Sequence, residues 1–154
     1  MSSSATELAW RWYEWSALDA DTLYAFLKLR VDVFVVEQAC AYAELDGLDP
    51  RCRHLCGRDR DGRLLAYLRL LPPGLKRAEP AIGRLVVAAA GRGAGLGRAA
   101  MREGLRACAE RHPGAAVFLS GQQHLQRFYE SLGFRVISTP YLEDGIVHVD
   151  MLRE

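Results

Sequence analysis

The chain has 154 residues, half of them hydrophobic and a quarter charged, with 20 lysines and arginines against 19 aspartates and glutamates. That length carries a single domain, residues 1–154, with a real core, and the near-zero net charge points to no nucleic-acid partner and no acidic membrane surface. No apolar run reaches bilayer-spanning length, and Met1–Glu7 lacks the basic and apolar regions of a secretion signal. A cytoplasmic protein is expected, with no membrane association and a loose start over residues 1–7.

From Leu8 to Trp15 the aromatic, alternating stretch LAWRWYEW predicts a first strand. A helix should follow, capped by Asp19 or Asp21, with Leu23, Phe26, Leu27 and Phe34 on its apolar stripe. Arg30 lies seven residues after Leu23 on that face, and Glu37 seven after Arg30. A charge on an inward face is either paired inside the structure or lines a cavity. Gln38–Asp49 reads as an acidic connection with Glu44, Asp46 and Asp49 and a turn at Gly47. His54–Leu71 reads as a hairpin turning at Asp61-Gly62, ended by Pro72-Pro73-Gly74, and residues 75–80 as a linker. The four cysteines include Cys52 and Cys56 flanking His54, but no second paired cluster exists. Free thiols and no metal are expected.

The stretch from Ala81 to Met101, AIGRLVVAAAGRGAGLGRAAM, organises the rest. Ile82–Val87 is a buried-strand pattern; Gly91, Gly93, Gly95 and Gly97 break it, and a helix runs on to about Arg111, stopped by His112-Pro113-Gly114. Strand, glycine turn and helix N-terminus together form an anion site, because backbone amides can approach a phosphate and the helix dipole favours negative charge. Arg92 and Arg98 flank it and can neutralise a pyrophosphate. The P-loop pattern fails, since neither Gly91 nor Gly93 has a glycine five positions on and no Lys-Ser/Thr follows. Gly95-Leu96-Gly97-Arg98-Ala99-Ala100 fits the dinucleotide fingerprint, but the next strand, Ala115–Leu119, ends in Ser120-Gly121 without the carboxylate that pattern needs.

In Ser120–Phe134, SGQQHLQRFYESLGF, Leu125, Phe128, Tyr129 and Leu132 form the inward face of a short helix; Gly133 suits its left-handed end and Phe134 the accompanying apolar contact. By pattern alone Tyr129 is either a core tyrosine or a functional one.

Arg92-Gly93-Ala94-Gly95-Leu96-Gly97 matches the Q/R-x-x-G-x-G/A signature of the GNAT superfamily of acyl-CoA N-acyltransferases, with Leu85-Val86-Val87 at the usual distance upstream. Phe128–Phe134 resembles that family's FYxxLGF motif, and LRVDVFVVEQACAYAELDGLD with YLEDGIVHVDM resembles its ElaA-like branch. The resemblance implies a mixed α+β and α/β fold, with a mostly antiparallel sheet whose strands 4 and 5 splay apart, flanked by helices. It implies transfer of acetyl from acetyl-CoA, with no metal, to a primary amine on a small molecule or peptide, with a homodimer admissible. A non-catalytic acyl-CoA-binding module is the alternative.

By that resemblance Leu85, Val86, Val87, Arg92, Gly93, Ala94, Gly95, Leu96, Gly97, Arg98, Gln122 and Phe128 hold the coenzyme, and Tyr129 protonates the departing thiolate. A phenol near pKa 10 suits a thiolate whose conjugate acid lies near 8.5. Arg30, Glu37, His54, Arg84 and Glu143 are candidate acceptor-site residues. The central strand carries Arg84 where some relatives place a basic glutamate, which leaves the general base open.

Overall fold

β1 (Ala9–Glu14) alternates as its aromatic pattern requires, Trp10 and Trp12 facing one side of the sheet and Tyr13 the other. The computed structural model describes residues 7–154, so the expected loose start lies, but for Glu7, outside the described residues. β1 pairs antiparallel with β2 (Arg53–Arg58), β2 with β3 (Leu64–Leu71), and β3 with β4 (Ala81–Val87). The β2–β3 turn holds Gly62 at φ 82° and is tied by the Asp59 carboxylate, which accepts from the amides of Asp61 and Arg63.

Helix α1 (Ala20–Arg30) starts at Asp19, whose carboxylate accepts from the Thr22 amide at 2.7 Å. It continues into a wider π-helical segment, Val31–Glu37. The extra residue per turn changes the phase of the stripe, so Arg30 is fully buried while Glu37 is exposed. The two residues that a regular helix would place on one side are thereby separated.

α2 (Leu96–Arg111) packs on the opposite face of the sheet, where Met101 and Ala100 meet Leu55, Leu68, Leu119 and Met151. Each such side chain removed from water contributes about 1.5–3 kcal/mol if large. β5 (Val117–Gln122) outruns its apolar core by three residues. A one-turn 3₁₀ segment then leads into α3 (Gln126–Glu130), shorter than the four-residue stripe suggests. Gly133, at φ 97°, closes it, with the Phe134 amide returning to the Tyr129 carbonyl.

The chain after Phe134 adds β6 (Arg135–Val136), β7 (Tyr141–Glu143) and the long β8 (Ile146–Arg153). Asp144 and Gly145 both take positive φ between β7 and β8, as a two-residue hairpin turn demands. The eight-stranded sheet runs β1-β2-β3-β4-β5-β8-β6, with β7 also on β8. All its neighbours are antiparallel except β4 and β5. Those two meet through a single register pair, Ala81 opposite Phe118, and then part.

Candidate active site

The gap between β4 and β5 is the centre of the site. From Gly83 to Val87 the β5-facing edge of β4 has no strand partner among the described residues, so its backbone donors and acceptors lack the ladder a sheet interior supplies. β4 also bulges: between the pairs Tyr67–Val86 and Arg69–Gly83, β4 has one residue more than β3. Arg84 sits in that bulge at φ 55°, a left-handed conformation that costs a non-glycine residue about 1–3 kcal/mol. A cavity of about 460 Å³ opens at the gap.

At one end lies the glycine turn. Gly93 (φ 86°) and Gly95 (φ 75°) are left-handed, and a Cβ on either would meet nothing within 4 Å. Conformation and outward approach, not packing, therefore call for glycine there. Gly95 is the N-cap of α2 and no side chain caps the helix, which leaves its first amides directed outward. Leu96 is buried beside Leu65 and Ala66, Ala94 is exposed in the turn, and Gly97 abuts Val87 and Phe128. Gly91, by contrast, is a packing glycine: a Cβ there would stand 2.8 Å from Leu96 Cδ1.

The two flanking arginines are not free cations. Arg92 makes a two-pronged ion pair with Glu37, at 2.7 and 2.9 Å, and reaches the Val87 carbonyl. Arg98 lies over the Phe128 ring, 5.4 Å from its centroid, and donates to Ser131 Oγ. Glu37, expected at the acceptor end, thus stands beside the glycine turn. Two further contacts draw the same segment across the gap: Gln122 donates to Gln38 at 3.2 Å, and the Cys40 thiol donates to the Asp144 carbonyl.

Leu85 faces the α2 core, Val86 is buried toward α1, and Val87 lies between the glycine turn and Gly97. Below them is Tyr129, 7 % exposed, its ring against Phe128 and Phe134. Gly121 allows this approach, since a Cβ there would fall 2.8 Å from Tyr129 Cε2. Burial is the only cause acting on the phenol and pushes its pKa up to about 12. The hydroxyl therefore stays protonated at any working pH, able to donate a hydrogen bond but a poorer proton donor than a free phenol.

The far side of the gap differs from expectation in two residues. Arg30 and His54 are both 0 % exposed and do not line the cavity; they belong to the core under α1 and are not acceptor contacts. His54 stacks on Phe26, donates from Nε2 to the Asp49 carbonyl and accepts at Nδ1 from Tyr67 Oη at 2.7 Å. Burial lowers its pKa and keeps it neutral. Arg30 pairs with Glu44 at 2.7 Å and Asp49 at 2.8 Å. Arg69 in turn holds Asp49 and Asp46, and Arg84 holds Glu44 and reaches Asp46. Three arginines and three carboxylates thus balance, and they nail the acidic 38–49 segment onto the sheet. Burial would raise the Asp46 and Asp49 pKa values, but the arginines hold both carboxyls below their usual range.

Of the acceptor candidates, Arg84, Glu37 and Glu143 do line the cavity. So does Asp144, expected with Glu37, Asp46, Asp49 and Glu143 to give the acceptor side its acidic character, and so do Cys40, Tyr42, Lys76 and His148, which the sequence reading did not single out. Cys52, Cys56 and Cys108 are buried free thiols, pushed up to about 11 by burial. Among the described residues no His, Cys, Asp or Glu group is arranged to hold a metal, and no helix is long and apolar enough to cross a membrane.

A bulged β4, a parting β4–β5 pair and a glycine turn opening α2 define an acyl-CoA N-acyltransferase fold. Residues 32–154 match the Acetyltransferase (GNAT) domain, and the chain belongs to that family. It is 41% identical to Protein ElaA of Escherichia coli over 149 residues, 96% of this chain and 97% of ElaA. The crystal structure of that ElaA superposes with a TM-score of 0.89 at 40% identity, covering 96% of this chain and 99% of the other. An acyl-CoA N-acyltransferase from Pseudomonas aeruginosa superposes with a TM-score of 0.91 at 45% identity, covering 96% of this chain and all of the other.

Proposed function

We propose that this chain transfers an acetyl group from acetyl-CoA to a primary amine by direct attack in a ternary complex. One observation carries the reading above the others: a protonated phenol and a strand edge, both without a protein partner among the described residues, face one cavity. The backbone amides from Gly93 to Arg98 would cradle the pyrophosphate, and the edge of Leu85–Val87 would pair with the amides of the pantetheine arm. Gln122, at the end of β5, lies within reach of the same arm once it releases Gln38. Arg92 would meet phosphate only by sharing its charge with Glu37.

Tyr129 would hold its O–H toward the sulfur as the thiolate forms. Its raised pKa makes hydrogen-bond stabilisation of that charge its main contribution. The acceptor is a cationic amine on electrostatic grounds. Asp46 and Asp49, in the acidic connection, are engaged by arginines, whereas Glu143 and Asp144 have no lysine or arginine within ion-pair distance among the described residues. Those two carboxylates favour an ammonium group at the mouth. Arg84, being tied to Glu44, is not a free clamp for an acceptor carboxylate.

The test is calorimetric titration with acetyl-CoA, followed by free-thiol release against a panel of polyamines, amino sugars and peptides. Binding with amine-dependent thiol release supports the enzyme. Binding without release from any amine favours the non-catalytic module, and the absence of binding overturns both.

A further inference from the structure

The acetyltransferase reading leaves one chemical step without a residue: an alkyl ammonium must lose a proton before its nitrogen can attack. The strand alternation of β5 sorts the groups that reach the gap onto its two faces. Gly121 points toward Tyr129, so Ser120 and Gln122 point to the other face. β8 pairs antiparallel with β5, with His148 directly opposite Gln122, which places His148 on that other face. The cavity between β4 and β5 is lined by both Tyr129 and His148. A phenol and an imidazole thus approach one gap from opposite sides of the sheet.

We propose that His148 is the general base of this site, taking the acceptor's proton at Nε2, an assignment that rests on the acetyltransferase reading above. His148 Nδ1 lies 2.7 Å from the Ile146 carbonyl. A carbonyl only accepts, so Nδ1 carries the hydrogen and the neutral ring keeps its lone pair on Nε2. Glu143 Oε2 is 3.8 Å from Nε2, too far to occupy it and near enough to stabilise the imidazolium once it forms. The Tyr141 ring lies alongside at 6.2 Å and fixes the imidazole plane.

Apart from the Glu143 and Asp144 carboxylates, which have no lysine or arginine within ion-pair distance among the described residues, the ionisable groups beside it are engaged. Asp150, two residues along β8, accepts from Tyr141 Oη at 2.7 Å, and Ser120 shares the same hydroxyl. Burial pushes that phenol up to about 12. Asp144 lies in the turn, and its carbonyl accepts from the Cys40 thiol. Elsewhere on the cavity Glu37 is bound to Arg92, Tyr42 donates to Glu44, and His124 is exposed on its 3₁₀ turn. Among the described cavity residues His148 alone combines a fixed tautomer with a free lone pair.

The step balances. His148 Nε2 takes one proton from the bound ammonium and the neutral nitrogen attacks the thioester carbonyl. The C–N bond forms, the C–S bond breaks, and the sulfur leaves as a thiolate held by the Tyr129 O–H. The new amide nitrogen sheds its surplus proton to water, and the imidazolium returns its own to the thiolate.

The test is His148→Asn, whose amide N–H can still donate to the Ile146 carbonyl. With an alkyl amine at neutral pH, kcat should fall by about 10²–10⁴, and the acidic limb of the kcat/KM profile should vanish. An aryl amine arrives neutral and should lose less than about tenfold. KM for acetyl-CoA and Tm should hold. His148→Ala serves as a second variant, with free imidazole expected to restore alkyl-amine turnover. Unchanged kcat in His148→Asn, or an equal loss with both amines, overturns the assignment and leaves the acetyltransferase reading standing. A wild-type protein that releases no thiol with any amine overturns that reading and this assignment together.

Discussion

Replacing Tyr129 by Phe separates the chemistry of this site from its packing. The ring stays against Phe128 and Phe134, and the lost oxygen has no partner to orphan among the described residues. Stability at neutral pH should therefore move by less than about 1 kcal/mol. Acetyl-CoA affinity should hold, because the hydroxyl acts mainly as charge develops on sulfur. The loss should fall on kcat, by about 10²–10⁴, or roughly 3–5 kcal/mol of barrier. The raised pKa adds a signature. With the folded phenol near 12 and the unfolded one near 10, the folded state keeps its proton where the unfolded state has lost it. Tyr129 thus contributes stability in full below pH 10 and loses it as pH rises through about 12, a swing of roughly 3 kcal/mol. Melting curves from pH 8 to 11 should fall less steeply for Tyr129→Phe than for the wild type. Turnover of the wild type should show no alkaline limb near 10. Full activity in Tyr129→Phe would refute the argument, and an ordinary core tyrosine would take its place.

Three other substitutions probe separate parts of the site. Gly95→Val forces a β-branched residue to φ 75°, at roughly 1–3 kcal/mol, in a spot where its Cβ meets nothing; the protein should fold and lose acetyl-CoA binding, and unchanged calorimetric affinity would mean the cradle is misplaced. Gly121→Ala sets a Cβ 2.8 Å from Tyr129 Cε2 and should shift the ring; kcat should drop with coenzyme affinity kept, and an unaltered kcat would show that the placement of Tyr129 is not critical. Arg30→Met leaves Glu44 and Asp49 with one arginine each and should destabilise by about 3 kcal/mol in urea unfolding. Asp49, held low, contributes stability above its unfolded pKa that is lost as pH falls through its folded one, so the variant's acid transition should move to higher pH; an unmoved transition would deny the pairing its role.

The glycine turn and the FYESLGF stretch were legible because their geometry is local: left-handed glycines, a helix start and a helix end are written within a few residues. The arginine–carboxylate cluster was not, since Arg30 meets Glu44 and Asp49 across 14 and 19 residues and nothing in the spacing of charges encodes which pairs form. Arg30 illustrates the limit well, as an inward charge is consistent with both a cavity and a buried pair until its partners are seen. The π-helical segment hid the separation of Arg30 from Glu37, because helical periodicity assumes a constant phase. His148 was within reach. Asp144-Gly145 between Leu142 and Ile146 is a two-residue hairpin signal, and pairing the arms would have set His148 opposite Tyr141. Its place beside Gln122 depends on β8 pairing with β5, which only the sheet topology reveals.

A crystal structure of the protein with acetyl-CoA tests most directly the claim that the coenzyme fills the gap between β4 and β5. The account predicts the pyrophosphate on the amides between Gly93 and Arg98, the pantetheine arm paired with Leu85–Val87, the sulfur within hydrogen-bond distance of Tyr129 Oη, and the acetyl group open to the His148 side. A complex in which β4 and β5 pair continuously beyond Ala81 and Phe118, with the coenzyme bound elsewhere, would contradict it.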